Sequence, residues 1–177
     1  MSSRPDYEAS VAILKRRGIL DEDESPAQPA AMPQPDDGEA LGLHFFRTAF
    51  DPGTDLSGLC IPRTFFGRSE IKQVSFRASD LSESNLRWND FSDVDFSEAC
   101  LAGADLRASV FERVNFDHAD LRGADLRRSE FKACSFRAAN LAGVLLSRSQ
   151  RKQLALAPDQ RAQVAWQWSS GPEPSGG

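Results

Sequence analysis

Histidine and cysteine are scarce in this chain of 177 residues. The two histidines, His44 and His118, lie nowhere near a cysteine or a glycine-flanked serine, and Cys60, Cys100 and Cys134 are scattered singly. Hydrolytic triads, paired zinc knuckles and disulfide frameworks therefore have little to be built from. No enzyme activity, catalytic residue, metal or cofactor is expected, and a reducing cytoplasm is the expected compartment. The chain also lacks an apolar run long enough to span a bilayer. Its opening residues, MSSRPDYEAS, lack the apolar stretch of a secretory signal, so no membrane partner is expected. A basic excess is missing too: 21 Lys and Arg face 26 Asp and Glu, a net charge of -5. That removes the usual driving force toward phosphate backbones, and no direct nucleic-acid partner is expected. Hydrophobic residues make up 40%, enough for one modest core.

What the chain has is a repeat. Stepping by five from Leu56 through Ile61, Phe66 and Ile71 to Leu146 meets 19 consecutive positions that are Leu, Ile or Phe. Two residues before these centres stands a small side chain in 17 of the 19 cases, with Leu59 and Asn89 the exceptions. Large and small residues thus alternate inward, and the polar positions between them face water. A period of five fits neither a helix at 3.6 nor a flat strand at 2.0, so each unit is read as a short extended stretch plus a turn.

A second period sets the number of units per coil. From Leu81 the centres run Leu, Leu, Phe, Phe and repeat every 20 residues, so four units close one turn. Val74, Val94, Val114 and Cys134 fall in one column, and Gly103, Gly123 and Gly143 in another, where a type II turn with positive φ is expected at one corner. Cys60 and Cys100 face outward two coils apart, too far to bridge. Asn89 points inward, where its amide is expected to satisfy a turn backbone.

The units Ala104-Asp105-Leu106, Ala119-Asp120-Leu121, Ala124-Asp125-Leu126 and Ala139-Asn140-Leu141 resemble those of the pentapeptide-repeat family. The resemblance runs from Thr54 to about Arg148 and departs from the family pattern at Leu59, Phe65, Asn89, Val110 and Leu145. It implies an all-β solenoid, a right-handed four-sided β-helix; the periodicity itself gives the four sides, and about five 20-residue coils. Such a rod is filled by its own side chains, which leaves its faces and ends to carry function.

The expected organisation has four parts. Residues 1–40 form a mostly disordered arm, with an acidic, proline-rich linker at Asp21–Gly38 and a short helix at 6–17 that either frays or docks on a partner or a second copy. The β-helix occupies 41–148, with Leu41 and Phe46 keeping the five-residue phase in an imperfect first coil. A helical cap follows at 149–169, where Leu154, Leu156, Val164, Trp166 and Trp168 are available to pack, and 170–177 is a disordered tail.

On the outside, the positions after Phe66, Leu86, Leu106, Leu126 and Leu146 hold Arg68, Arg87, Trp88, Arg107, Arg127, Arg128 and Arg148. Arginine and tryptophan are enriched among interface hot spots, and an exposed Trp on a polar rod is unusual. These residues are the candidate partner-binding face. The alternative is that the arginines pair locally with Asp105 and Asp125 while Trp88 lies over their stems. Asp90, Asp93, Asp95 and Glu98 read as a solvated surface. The family resemblance implies a protein partner, either a toxin or effector neutralised or carried by a bacterial immunity or accessory protein, or a topoisomerase (gyrase) bound by a DNA-like rod of the quinolone-resistance type. It also allows a homodimer through one rod end. Between Asp51 and Arg148 there are 15 acidic and 13 basic residues, a weak balance for a DNA mimic.

Overall fold

The computed structural model describes residues 5–22 and 42–168. Leu41, most of the linker and the tail lie outside the described residues. In chain order the elements are helix α1 (Tyr7–Arg16), three-residue strands β1 (His44–Phe46), β2 (Phe65–Gly67), β3 (Glu70–Lys72), β4 (Asp90–Ser92), β5 (Val110–Glu112), β6 (Glu130–Lys132) and β7 (Leu145–Ser147), helix α2 (Pro158–Gln163) and strand β8 (Ala165–Gln167).

Every pairing is parallel, and from Asp55 onward it joins residues 20 apart. β3, β4, β5 and β6 form one ladder in which Ile71, Phe91, Phe111 and Phe131 stand in register. Single-residue bridges such as Asp80↔Cys100↔Asp120, Asp95↔Asn115↔Ser135 and Asp105↔Asp125 repeat that register on the other three sides. The chain is therefore a four-sided β-solenoid. It has about six turns rather than five, because the segments before Leu56 and after Leu146 add a part-coil at each end through β1 on β2 and β8 on β7.

The alternation of large and small residues explains the interior. Phe91, Phe111 and Phe131 stack with ring centres 5.0 and 5.2 Å apart, and the neighbouring column Phe76, Phe96, Phe116 and Phe136 stacks at 5.0, 5.4 and 4.9 Å. The two columns meet edge to face within each coil, as at Phe91–Phe96, 5.6 Å. These are the offset and perpendicular contacts that aromatic quadrupoles favour. Leucines fill the two opposite sides. Asn89, where a small residue usually stands, donates from Nδ2 to the carbonyls of Phe66 (2.7 Å) and Leu86 (2.8 Å) and accepts the Ser69 N–H (2.8 Å).

The corners correct the glycine expectation. Gly103, Gly123 and Gly143 do have φ of 66 to 71°, but so does the residue two after almost every centre, including Ala78 (56°), Glu83 (55°), Trp88 (58°) and Arg128 (62°). Many of these corners close with an N–H to carbonyl bond three residues back, as from Ser79 to Phe76 at 3.1 Å, the geometry of a type II turn. Left-handed backbone is thus a property of the coil at every corner. Side chains with a Cβ tolerate it because inter-coil hydrogen bonds on both sides hold the chain there.

At the first end, α1 is capped by the Asp6 carboxylate on the Ala9 N–H (2.9 Å). It buries Leu14 completely in the same apolar cluster as Leu43, Leu56 and Leu59. Ser10 Oγ accepts the Cys60 N–H at 2.8 Å, and Arg17 donates to the Asp55 carbonyl. The helix therefore packs on its own rod. Phase also shifts here. Phe45, not Phe46, stands opposite Phe66 and is buried, because one extra residue lies between Ala49 and Asp55: Ala49 pairs with Glu70, 21 on, whereas Asp55 pairs with Ser75, 20 on.

At the last end the cap is only partly helical. A 3₁₀ turn (Arg148–Lys152), α2 and β8 cover the final coil, and four glutamines take over the hydrogen bonds that a further coil would make. Gln150 Nε2 donates to the carbonyls of Leu126 (2.8 Å) and Ser129 (2.7 Å), and Gln160 Nε2 to those of Phe136 (2.7 Å) and Ala139 (3.1 Å). Gln153 and Gln163 accept the N–H groups of Phe131 and Leu141. Leu154, Leu156 and Val164 are buried, as expected. Trp166 stands in β8, half-buried, and Trp168 does not pack into the core at all.

Candidate protein-binding face

The register places three outward columns on the side of the rod that runs from Phe66 to Leu146. Immediately after the centres come Gly67, Arg87, Arg107, Arg127 and Ser147; one position further come Arg68, Trp88, Ala108, Arg128 and Arg148; immediately before them come Phe65, Asn85, Asp105, Asp125 and Leu145. Each column advances by one coil spacing, about 4.8 Å.

Charge on this face is satisfied sideways and incompletely. Arg107 grips Asp105 through Nε (2.9 Å) and Nη2 (2.7 Å), and Arg127 grips Asp125 in the same way at 2.9 and 2.6 Å. The Asp125 carboxylate raises the Arg127 guanidinium further above its already high range. Such two-pronged pairs fix the guanidinium planes. Arg87 has Asn85 in place of an aspartate. It reaches Asp105 only at 3.9 Å and instead lies over the Trp88 ring, 4.6 Å from its centre, with its Nε buried and without an acceptor among the described residues. Local pairing and stem stacking thus coexist, and six arginines still face two aspartates.

The relief of the face comes from Ala108. It stands in the column between Trp88, which is 55% exposed, and Arg128, so a large side chain is missing where its neighbours have one. The result is a groove of about 310 Å³ lined by Arg87, Trp88, Arg107, Ala108, Arg127, Arg128, Ser147 and Trp168. Five of the seven residues singled out in the sequence therefore meet around one groove. Arg68 lies in the same column one coil before Trp88, outside the groove. Arg148 stacks 4.0 Å from the centre of the Trp168 ring, which is 76% exposed and closes the far end.

Trp168 is the residue the sequence did not place here. Its signal was present: β8 continues the 20-residue register, with Leu146 opposite Trp166, so Trp168 follows Arg148 in the same column. The near end carries another unforeseen feature, the aromatic cluster of His44, Phe46 and Phe65, with Arg47 5.4 Å from the Phe46 ring centre. Among the described residues no set of three His, Cys, Asp or Glu side chains could hold a metal ion, and no helix is long and apolar enough to cross a membrane.

A profile described as pentapeptide repeats matches the chain in eight copies, over residues 69–107, 90–128 and 109–148. Among solved structures the chain is similar to a pentapeptide repeat protein from the thylakoid lumen of Arabidopsis thaliana, at 24% identity over 81% of this chain and 83% of that one, with a TM-score of 0.44. It is also similar to HetL from Nostoc sp. strain PCC 7120, involved in heterocyst differentiation regulation (23% identity, 60% of this chain and 44% of that one, TM-score 0.32). A third likeness is to the plasmid-mediated fluoroquinolone resistance protein QnrB1 (18%, 61% and 54%, TM-score 0.32). No curated protein matches the sequence.

Proposed function

We propose that this chain, which belongs to the pentapeptide-repeat family, is a non-catalytic scaffold that captures a protein partner on its arginine face. One observation carries the reading. A groove with surplus positive charge is framed by two exposed tryptophans on a rod whose interior is filled by its own side chains. Arg and Trp in that arrangement match the composition of interface hot spots, and the two-pronged Asp pairs hold the arginines ready without neutralising the face.

Of the two partner classes that the family suggests, a toxin or effector with an acidic or mixed-charge surface suits this face. A topoisomerase recognised through DNA mimicry calls for a strongly negative rod, and the 15 acidic and 13 basic residues between Asp51 and Arg148 do not supply one. The role proposed is therefore that of a bacterial immunity or accessory protein. Reversing Arg87, Arg107 and Arg127 to Glu changes only outward positions, so the rod folds and capture of the partner fails. Pull-downs from the native host with both proteins test this. A partner held only by the unaltered protein, and released by added salt, supports the reading; equal recovery of every partner by both proteins overturns it. Inhibition of DNA supercoiling by the pure protein would favour the topoisomerase reading instead.

A further inference from the structure

Building on the protein-capture reading above, we infer that the arginine face recognises an α-helix of its partner, one that carries acidic side chains at positions i, i+3 and i+7 and lies along the rod. The argument rests on spacing. Arg87, Arg107 and Arg127 stand on three successive coils, so they repeat at about 4.8 Å and span about 9.6 Å. Residues i, i+3 and i+7 of an α-helix share one face and advance by about 4.5 and 10.5 Å, within about 1 Å of that ladder at each step. An extended strand presents one face every two residues, about 6.8 Å, and falls about 4 Å out of step by the third arginine. Phosphates on one strand of a DNA duplex advance by about 3.4 Å along its axis and fit no better.

The surroundings of the ladder fit the same occupant. Ala108 leaves a trough beside Arg107. A helix whose acidic stripe meets the arginines turns its adjoining residues toward Trp88 and Ala108, so a small apolar residue there completes the contact. Trp88 and Trp168 stand four coils apart, about 19 Å, the length of a helix of about 13 residues. Arg128, which is exposed and has no ion pair among the described residues, is the position where an incoming carboxylate gains most.

The test uses the full chain and hydrocarbon-stapled 15-residue peptides on an Ala and Gln background, measured by calorimetry. One peptide carries three glutamates at i, i+3 and i+7. An isomer of equal composition carries them at i, i+2 and i+5, and a linear version contains proline to prevent helix formation. The first peptide should bind at least tenfold more tightly than either of the others. Arg107→Glu and Ala108→Glu should each weaken it at least tenfold, while Arg113→Glu, on another side of the rod, leaves it unchanged. Ala108→Glu is safe for the fold because Glu83 and Glu98 already occupy the same left-handed position in other coils. Binding of all three peptides within twofold, still abolished by Arg107→Glu, would overturn the helix geometry and leave the arginine face standing as a partner surface. Binding that neither substitution weakens would overturn both. Tighter binding of a 15-nucleotide thymidine strand than of any peptide would likewise sink the inference.

Discussion

The two adjacent sides of the rod share one backbone and neutralise their charges in different directions. On the strand face, formed by β3 to β6, the two-pronged pair closes along the rod: Arg113 grips Asp93 of the preceding coil at 2.6 and 2.8 Å, and Lys132 reaches back to Glu112 at 3.0 Å, which Arg113 also meets within its own unit. On the arginine face the two-pronged pairs close within one unit, Arg107 with Asp105 and Arg127 with Asp125, and the surplus is displayed outward. The first arrangement sets opposite charges one above another. The second stacks like charges at coil spacing, an electrostatic cost that a binding surface can recover and a purely structural one cannot.

The largest expected effect comes from stripping the cap that ends the arginine face at Trp168 and covers the strand face at Phe131. Removing residues 150–177 takes away β8, Trp168 and all four capping glutamines, and exposes the open ladder of the last coil. Concentration-dependent association should follow, because an unpaired edge is a template for another chain. Light scattering that shows an unchanged monodisperse species, with an unchanged melting temperature, would remove the cap from the account.

Next in size is the shared interior. Phe111 stacks between Phe91 and Phe131 beneath the strand face, and Phe111→Ala should cost about 3 to 5 kcal/mol. The corresponding interior change under the arginine face, Leu106→Ala, should fall in the range of about 2 to 5 kcal/mol. Denaturant melts in which either change is as mild as Arg113→Ala would mean that the inward and outward assignment is wrong.

A smaller effect separates the two faces. Asn89 is the corner residue between them, and its amide satisfies carbonyls of Phe66 and Leu86 on the arginine side and the Ser69 N–H. Asn89→Ala leaves the Phe66 carbonyl and the Ser69 N–H buried and unmatched, at about 1 to 3 kcal/mol, while the Leu86 carbonyl keeps its bond from Ser109. Ser109→Ala, at the same position one coil on, removes a hydroxyl that donates to the Leu86 carbonyl (3.0 Å) and accepts the Asn89 N–H (3.2 Å), fewer bonds than the amide makes, and should cost less. The reverse order in chemical denaturation would show that the amide is not what holds the corner.

The sequence made the middle of this molecule legible because each of its five-residue steps states the same instruction, and 19 agreements leave little room for another period. Asn89 could be read for the same reason: a polar residue in an inward column needs partners. The ends were less legible where the instruction changes. One extra residue between Ala49 and Asp55 turned Phe46 outward, a slip that hydrophobicity alone does not register when Phe45 and Phe46 are neighbours. The glutamines of the cap imitate a missing coil through side-chain amides; they recur ten residues apart, Gln150 with Gln160 and Gln153 with Gln163, but without the apolar centres that mark the repeat. At the candidate face, the arginine columns were readable, whereas the groove depends on Ala108 and on Trp168 returning in strand register after a helix.

The smallest expected effect is the pH dependence of the strand face itself. Arg113 holds the Asp93 carboxyl below its ordinary range, and Lys132 together with Arg113 does the same for Glu112. A carboxyl whose folded value is depressed adds stability above its unfolded value, about 4, and loses it as pH falls through the lower folded value. The contribution is therefore complete at neutral pH and gone in strong acid. Because these groups are exposed, solvent screens them, and Arg113→Ala should lower the melting temperature at pH 7 far less than Phe111→Ala does. That small deficit should shrink as pH falls below the unfolded value and vanish in strong acid, and it should also vanish in molar salt, where the screening length shrinks to about 3 Å. A deficit that survives both conditions would assign Arg113 a packing role, and the contrast between a self-neutralised face and a displayed one would lose its electrostatic basis.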